Sequence, residues 1–129
     1  MSRHPSSTPT EVELEILQVL WTRGPSTVRQ IFNILKDARG TRYSTTLKMV
    51  QVMTDKGLLR RDSGVRPQVY TTAQTQEHTQ LRLVDDLIQK GFAGSARNLV
   101  LRAAAAERIT SKDLAQIKRL LADAKGKRA

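Results

Sequence analysis

Apolar positions recur at helical spacing in three consecutive stretches between Thr10 and Gly57, then give way to two short apolar pairs around a basic turn. Leu14, Leu17, Leu20 and Trp21 mark the first stripe. It follows Thr10 and Glu13, whose spacing offers acceptors to the free amides of a helix start, and Gly24-Pro25 ends it. Thr27 with Gln30 repeats the start signal, and Val28, Ile31, Ile34 and Leu35 form a second stripe that runs out at Arg39-Gly40. A third helix is predicted from Tyr43-Ser44 to Gly57, with Thr46, Met49, Val50 and Met53 on its core face and Leu47 beside them. Leu58-Leu59 and Val69-Tyr70 then flank the turn Asp62-Ser63-Gly64-Val65-Arg66, where Gly64 permits a positive backbone angle. Pro67 has no amide hydrogen and is expected at an edge position of the second strand.

Helical patterning resumes in the second half. Leu81, Val84, Leu87, Ile88 and Phe92 form one stripe, with Leu83 close by, and Gly94-Ser95 punctuates it with Ser95 as a cap. Leu99, Val100, Ala103 and Ala106 make a second stripe; Thr110 starts a third helix carrying Leu114, Ile117, Leu120 and Leu121. The fold class expected is mainly α. An N-terminal winged helix-turn-helix, three helices plus a two- or three-stranded β-wing, precedes a C-terminal helical dimerisation region. The expected organisation is a leader over 1–9, a DNA-binding domain over 10–73, a helical dimerisation domain over 74–124 and a frayed basic tail over 125–129. The three late helices cannot all bury their stripes against one another and also shield them from water; docking on the N-terminal module is one outcome, and the preferred expectation is that they interlock with the same helices of a second chain. The dimerisation residues are then Leu81, Val84, Leu87, Ile88, Phe92, Leu99, Val100, Leu114, Ile117, Leu120 and Leu121. Two-fold symmetry would set two third helices about one DNA turn, roughly 34–36 Å, apart on a palindromic site.

Charge sharpens this picture. The chain of 129 residues has a formal net charge of +10, which favours a polyanionic partner. Residues 1–38 hold four Lys/Arg and four Asp/Glu, whereas residues 39–66 hold seven Lys/Arg against Asp55 and Asp62. That local excess falls on the third helix and the hairpin. On the helix face away from the core lie Ser44, Thr45, Lys48, Gln51 and Asp55, side chains suited to base edges and adjacent phosphates. Arg60, Arg61 and Arg66 can reach phosphates from the wing.

Other chemistries find no support. There is no cysteine, which excludes disulfides, thiol catalysis and thiolate metal sites. His4 and His78 lack metal-ligand spacing, Asp85-Asp86 diverge on a helix, and no glycine-rich loop precedes a helix as a phosphate cradle requires. No catalytic, cofactor or metal residues are expected. The polar start, Met1 to Pro9, lacks the apolar core of a signal peptide, and no apolar run is long enough to span a membrane, so a cytoplasmic protein is expected.

The stretch from Pro9-Thr10-Glu11 through Glu13, Leu17, Leu20-Trp21, Gly24-Pro25 and Thr27-Val28-Arg29 resembles the BlaI/MecI penicillinase-repressor family. So do Tyr43-Ser44-Thr45, Lys56-Gly57-Leu58, Arg61, Gly64, Arg66, Val69-Tyr70, Phe92-Ala93-Gly94-Ser95, Leu99-Val100 and the Thr110 start before Leu114. The resemblance implies a homodimeric winged-helix repressor on inverted-repeat operators in double-stranded DNA, with a signalling peptidase as the partner of proteolytically switched members. It places Thr45 at the DNA, Tyr43-Ser44 at the entry of the recognition helix and Arg66 in the wing. The full DNA-binding set expected is Arg42, Tyr43, Ser44, Thr45, Lys48, Gln51, Arg61 and Arg66.

Three departures limit the transfer. Lys48 stands where many relatives have a second threonine, and Val52 where they have an arginine, so their operator sequence does not carry over. The Asn-Phe bond of proteolytically switched members aligns with Arg102-Ala103, so release by cleavage there is not implied. The C-terminal cysteines of copper-responsive relatives are absent. Two other functional classes remain open: an architectural nucleic-acid binder without sequence preference, and a winged-helix protein-interaction module.

Overall fold

The computed structural model describes residues 8–128, with side chains as far as residue 126. His4, most of the expected leader and the final residue of the expected tail lie outside the described residues. Thr10 opens α1 (Glu11–Arg23) with a reciprocal cap: its hydroxyl accepts from the Glu13 amide at 3.2 Å, and Glu13 Oε1 accepts from the Thr10 amide at 2.9 Å. Thr27 and Gln30 make the same pair of bonds at the start of α2 (Val28–Arg39). At its end Gly40 takes a left-handed conformation, φ 65°, and donates its amide to the Lys36 carbonyl. Arg42 precedes α3 (Tyr43–Asp55) without giving it a side-chain cap. α3 closes in a Schellman turn, with Gly57 at φ +84° donating to Thr54 O and Leu58 donating to Met53 O.

The chain then forms an antiparallel ribbon, β1 (Leu59–Asp62) paired with β2 (Val69–Thr72), in the register Leu59 to Thr72 and Asp62 to Val69. Ser26, in the loop between α1 and α2, exchanges both backbone hydrogen bonds with Tyr70 at 3.1 and 2.8 Å. The third strand of the wing is thus reduced to a single bridge.

One core unites these elements. Ile16, Leu17, Val19 and Leu20 of α1, Val28 and Ile31 of α2, Val50 and Met53 of α3, Leu59 and Tyr70 are all buried. Full burial of such a side chain contributes roughly 1.5–3 kcal/mol. The core differs from the sequence reading in its selection of residues. Ile16 and Val19 are inside, while Leu14 and Trp21 only pack along its edge; Leu47, Met49 and Leu35 are likewise partly buried. Ile34 is 46% exposed, because only one flank of α2 meets α1 and α3. Gly64 does not adopt a positive φ; the Asp62 carboxylate accepts from its amide at 3.0 Å and closes the turn without one. Pro67 lies ahead of β2 rather than within it, consistent with its missing donor.

An ion pair between a half-buried lysine and a buried carboxylate ties the first helix to the end of the third. Lys56 Nζ lies 2.6 Å from Glu13 Oε2, and Glu13 is only 3% exposed. Each carboxylate oxygen therefore has a separate task, one capping α1 and the other fixing the residue that ends α3.

The compact units of the chain divide between Leu83 and Val84, inside α4 (Gln76–Gly91). Thr75 accepts the His78 amide at the start of this helix, and Thr79 is buried within the first unit. The second unit continues with α5 (Ala96–Ala105), capped by Ser95, and α6 (Ser111–Arg128), capped reciprocally by Thr110 and Asp113. α6 includes Lys125-Gly126-Lys127-Arg128, so these residues continue the helix instead of fraying from it. Among the described residues from Val84 to Gly126, none is buried. Leu120 is 68% exposed and Leu121 64%, while Ile88, Phe92, Leu99 and Ile117 are half-buried. Among the described residues, no helix is long and apolar enough to cross a membrane.

Candidate nucleic-acid interface

α3 has two chemically distinct faces. Thr46, Val50 and Met53 are buried, whereas Ser44, Thr45, Lys48, Gln51 and Asp55 are exposed. The spacing of three to four residues that sends the first set inward sends the second set outward. The exposed set therefore forms one continuous strip of hydroxyls, an ammonium, an amide and a terminal carboxylate. Arg42 is exposed at the head of the strip. Arg42 gives α3 no side-chain cap, and its carbonyl accepts from the Thr45 and Thr46 amides at 3.0 and 3.2 Å.

Tyr43 occupies a different position from its neighbours. It is half-buried and packs against the core, with its ring 5.6 Å from that of Phe32 in an edge-to-face arrangement. Its anchoring fixes where α3 begins. A cleft of about 190 Å³ opens beside it, lined by Thr27, Arg29, Tyr43, Leu47, Pro67 and Gln68 among others. The foot of the wing is thus set against the first turns of α3 and α2.

In the ribbon, Arg60, Arg61 and Arg66 are all exposed. Arg61 pairs with Tyr70 and Arg60 with Thr71, so the two adjacent arginines leave the ribbon on opposite faces. Strand alternation therefore separates two charges that lie side by side in sequence. Arg66 sits beyond β1, next to the cleft residue Pro67.

Two basic residues that sequence spacing left unmarked are placed by tertiary structure. Arg29 Cζ lies 4.0 Å from the Tyr43 ring centroid. Arg39, in contrast, is committed to α1: it makes two 2.6 Å hydrogen bonds to the Glu15 carboxylate and approaches Glu11 at 3.9 Å. Those bonds hold the Glu15 carboxyl below its ordinary range and the Arg39 guanidinium above its own. Arg39 therefore contributes to the local charge excess without being free to meet a ligand. Among the described residues no cluster of His, Asp and Glu could hold a metal ion.

Two short helices, an exposed third helix and a two-stranded ribbon in this order define the winged helix-turn-helix class of DNA-binding modules, here extended by C-terminal helices. The sequence model of the penicillinase repressor family matches residues 9–123, and the chain belongs to that family, a family of DNA-binding transcriptional repressors. No curated protein matches the chain.

Proposed function

We propose that this protein is a sequence-specific, homodimeric repressor that binds inverted-repeat operators through α3 and the wing. The observation that carries the reading is the strip on α3, in which Ser44, Thr45, Lys48 and Gln51 are exposed directly behind the buried Thr46, Val50 and Met53. In this role Thr45, Lys48 and Gln51 meet base edges, Arg42 and Ser44 meet the flanking backbone, and Arg61 and Arg66 hold phosphates from the wing. Tyr43 acts by fixing the entry of α3. Support for the dimer comes from the second unit, in which none of the described apolar positions from Val84 to Gly126 is fully buried. Occupancy of a promoter by such a dimer would exclude polymerase, and a signal lowering its affinity or concentration would restore transcription.

Titration of operator and unrelated duplexes tests the assignment of roles. Lys48→Ala is expected to weaken operator binding while leaving thermal unfolding unchanged, since its side chain is exposed. Unchanged operator affinity would remove Lys48 from the contact set. Arg66→Ala is expected to weaken specific and nonspecific binding alike and to reduce the salt slope by roughly one unit. A loss confined to the operator would mean that Arg66 reads sequence or groove shape.

A second reading, an architectural binder without sequence preference, is favoured by one observation. Residues 84–129 carry ten Lys/Arg against five Asp/Glu, so basic charge is not restricted to the third helix and wing. It predicts equal affinity for operator and unrelated duplexes at every salt concentration.

A further inference from the structure

We propose that Arg29 is a DNA-phosphate contact of this protein, held ready by Tyr43 and acting at the junction of α2, α3 and the wing; the inference rests on the DNA-binding reading above. Arg29 lies in the first turn of α2, exposed, with its guanidinium carbon 4.0 Å from the Tyr43 ring centroid and 5.6 Å from that of Phe32. Phe32 and Tyr43 brace each other edge to face, so the platform beneath the cation is fixed by the core. A guanidinium resting on an aromatic ring uses its face, and the N–H donors around its edge remain free for the oxygens of an anion.

Arg29 has no carboxylate partner among the described residues, in contrast with Arg39 ten positions later on the same helix, which is committed to Glu15. Its position is also the appropriate one. It borders the 190 Å³ cleft whose other walls are the first turns of α3 and the foot of the wing at Pro67 and Gln68. When a third helix lies in the major groove, the preceding helix crosses the backbone at the groove edge. A cation at the start of that helix then meets a phosphodiester rather than a base. Planar donors match a phosphate through two hydrogen bonds, which a lysine ammonium cannot reproduce.

The contact is sequence-independent, so it can be read on a mixed-sequence duplex of about 30 base pairs, long enough for several of the contacts that set the salt slope. Full-length protein, Arg29→Ala, Arg29→Lys and Tyr43→Leu are titrated between about 50 and 200 mM salt, and unfolding of each is followed in parallel. Arg29→Ala is expected to bind roughly fivefold more weakly at the higher salt, with a log–log slope shallower by about 0.9. Arg29→Lys is expected to restore the slope and only part of the affinity. Tyr43→Leu is expected to weaken binding with the slope nearly kept, because the charge remains and its support is lost. An Arg29→Ala slope equal to that of the unaltered protein would overturn the proposal, whatever its affinity, since a merely structural arginine leaves the ion release untouched. Failure of the unaltered protein itself to bind duplex DNA would overturn the DNA-binding reading and this inference with it. Binding by the unaltered protein and all three variants with identical slopes would overturn the inference alone.

Discussion

Aspartate at both Leu114 and Leu121 is expected to make the protein monomeric and to lower its affinity for an inverted-repeat site by about 10²-fold or more. The two positions lie seven residues apart on one face of α6 and are both exposed in the single chain, Leu121 at 64%. The substitutions therefore remove little packing within the chain, and most of their cost falls on whatever covers that face. In a dimer two carboxylates per chain enter an apolar interface and face their symmetry mates, which disfavours association through both desolvation and like-charge repulsion. Loss of dimerisation removes the second half-site, so the high local concentration that one bound module gives the other is lost as well. Sedimentation of the variant and titration of an inverted repeat beside a single half-site check both steps. Single half-site binding should change little. A variant that stays monodisperse as a dimer would show that α6 does not form the interface.

The second large effect is on stability. Lys56→Met is expected to destabilise the N-terminal unit by about 2–4 kcal/mol, because it leaves a buried carboxylate without its counter-charge. For a unit of this size that corresponds to a fall in melting temperature of about 10–20 °C. Glu13 is almost fully buried and bonds Lys56 at 2.6 Å, so the lost partner cannot be replaced freely by water. Glu13→Gln alongside Lys56→Met should recover part of the loss, since the amide can still accept from Thr10 and carries no charge. A change within about 0.5 kcal/mol for Lys56→Met alone, the level of an ordinary surface substitution, would contradict the account.

The same pair sets a pH dependence. Burial alone would raise the Glu13 carboxyl, but Lys56 and the Thr10 donors outweigh it and hold the group below its ordinary value of 4.5. A depressed carboxylate stabilises the folded state above its unfolded value and loses that contribution as pH falls through the folded one. Unfolding midpoints should therefore decline as the solution is acidified below about pH 4.5, and Glu13→Gln should make that decline shallower.

The parts of this molecule legible in its sequence are those decided by neighbours. Thr10 with Glu13 and Thr27 with Gln30 cap helices because both partners of each bond sit three residues apart. The division of α3 into a buried and an exposed face follows in the same way from a single helical period. Choices that depend on the position of a distant element were less accessible. Ile34 fits the stripe of α2 yet is exposed, and Val19 falls outside the simplest stripe of α1 yet is buried, since packing partners select the flank. The Lys56–Glu13 pair spans 43 residues, and no local pattern couples them. Arg29 is equally silent, because its partner Tyr43 belongs to the next helix. Arg60 and Arg61 read as one basic patch until the strand sends them to opposite faces. The sequence's apolar stripes in the second half were readable as stripes, but only the structure gives their exposure, which leaves every described position from Val84 to Gly126 without full burial.

The central claim, specific recognition of an inverted repeat, is tested most directly by incubating the purified protein with fragmented DNA of its own genome at near-physiological salt and sequencing what it retains. The expected result is a small set of fragments that share an inverted repeat beside promoters, with the two halves about one helical turn apart. Broad retention with no shared motif, or none at all, would contradict it.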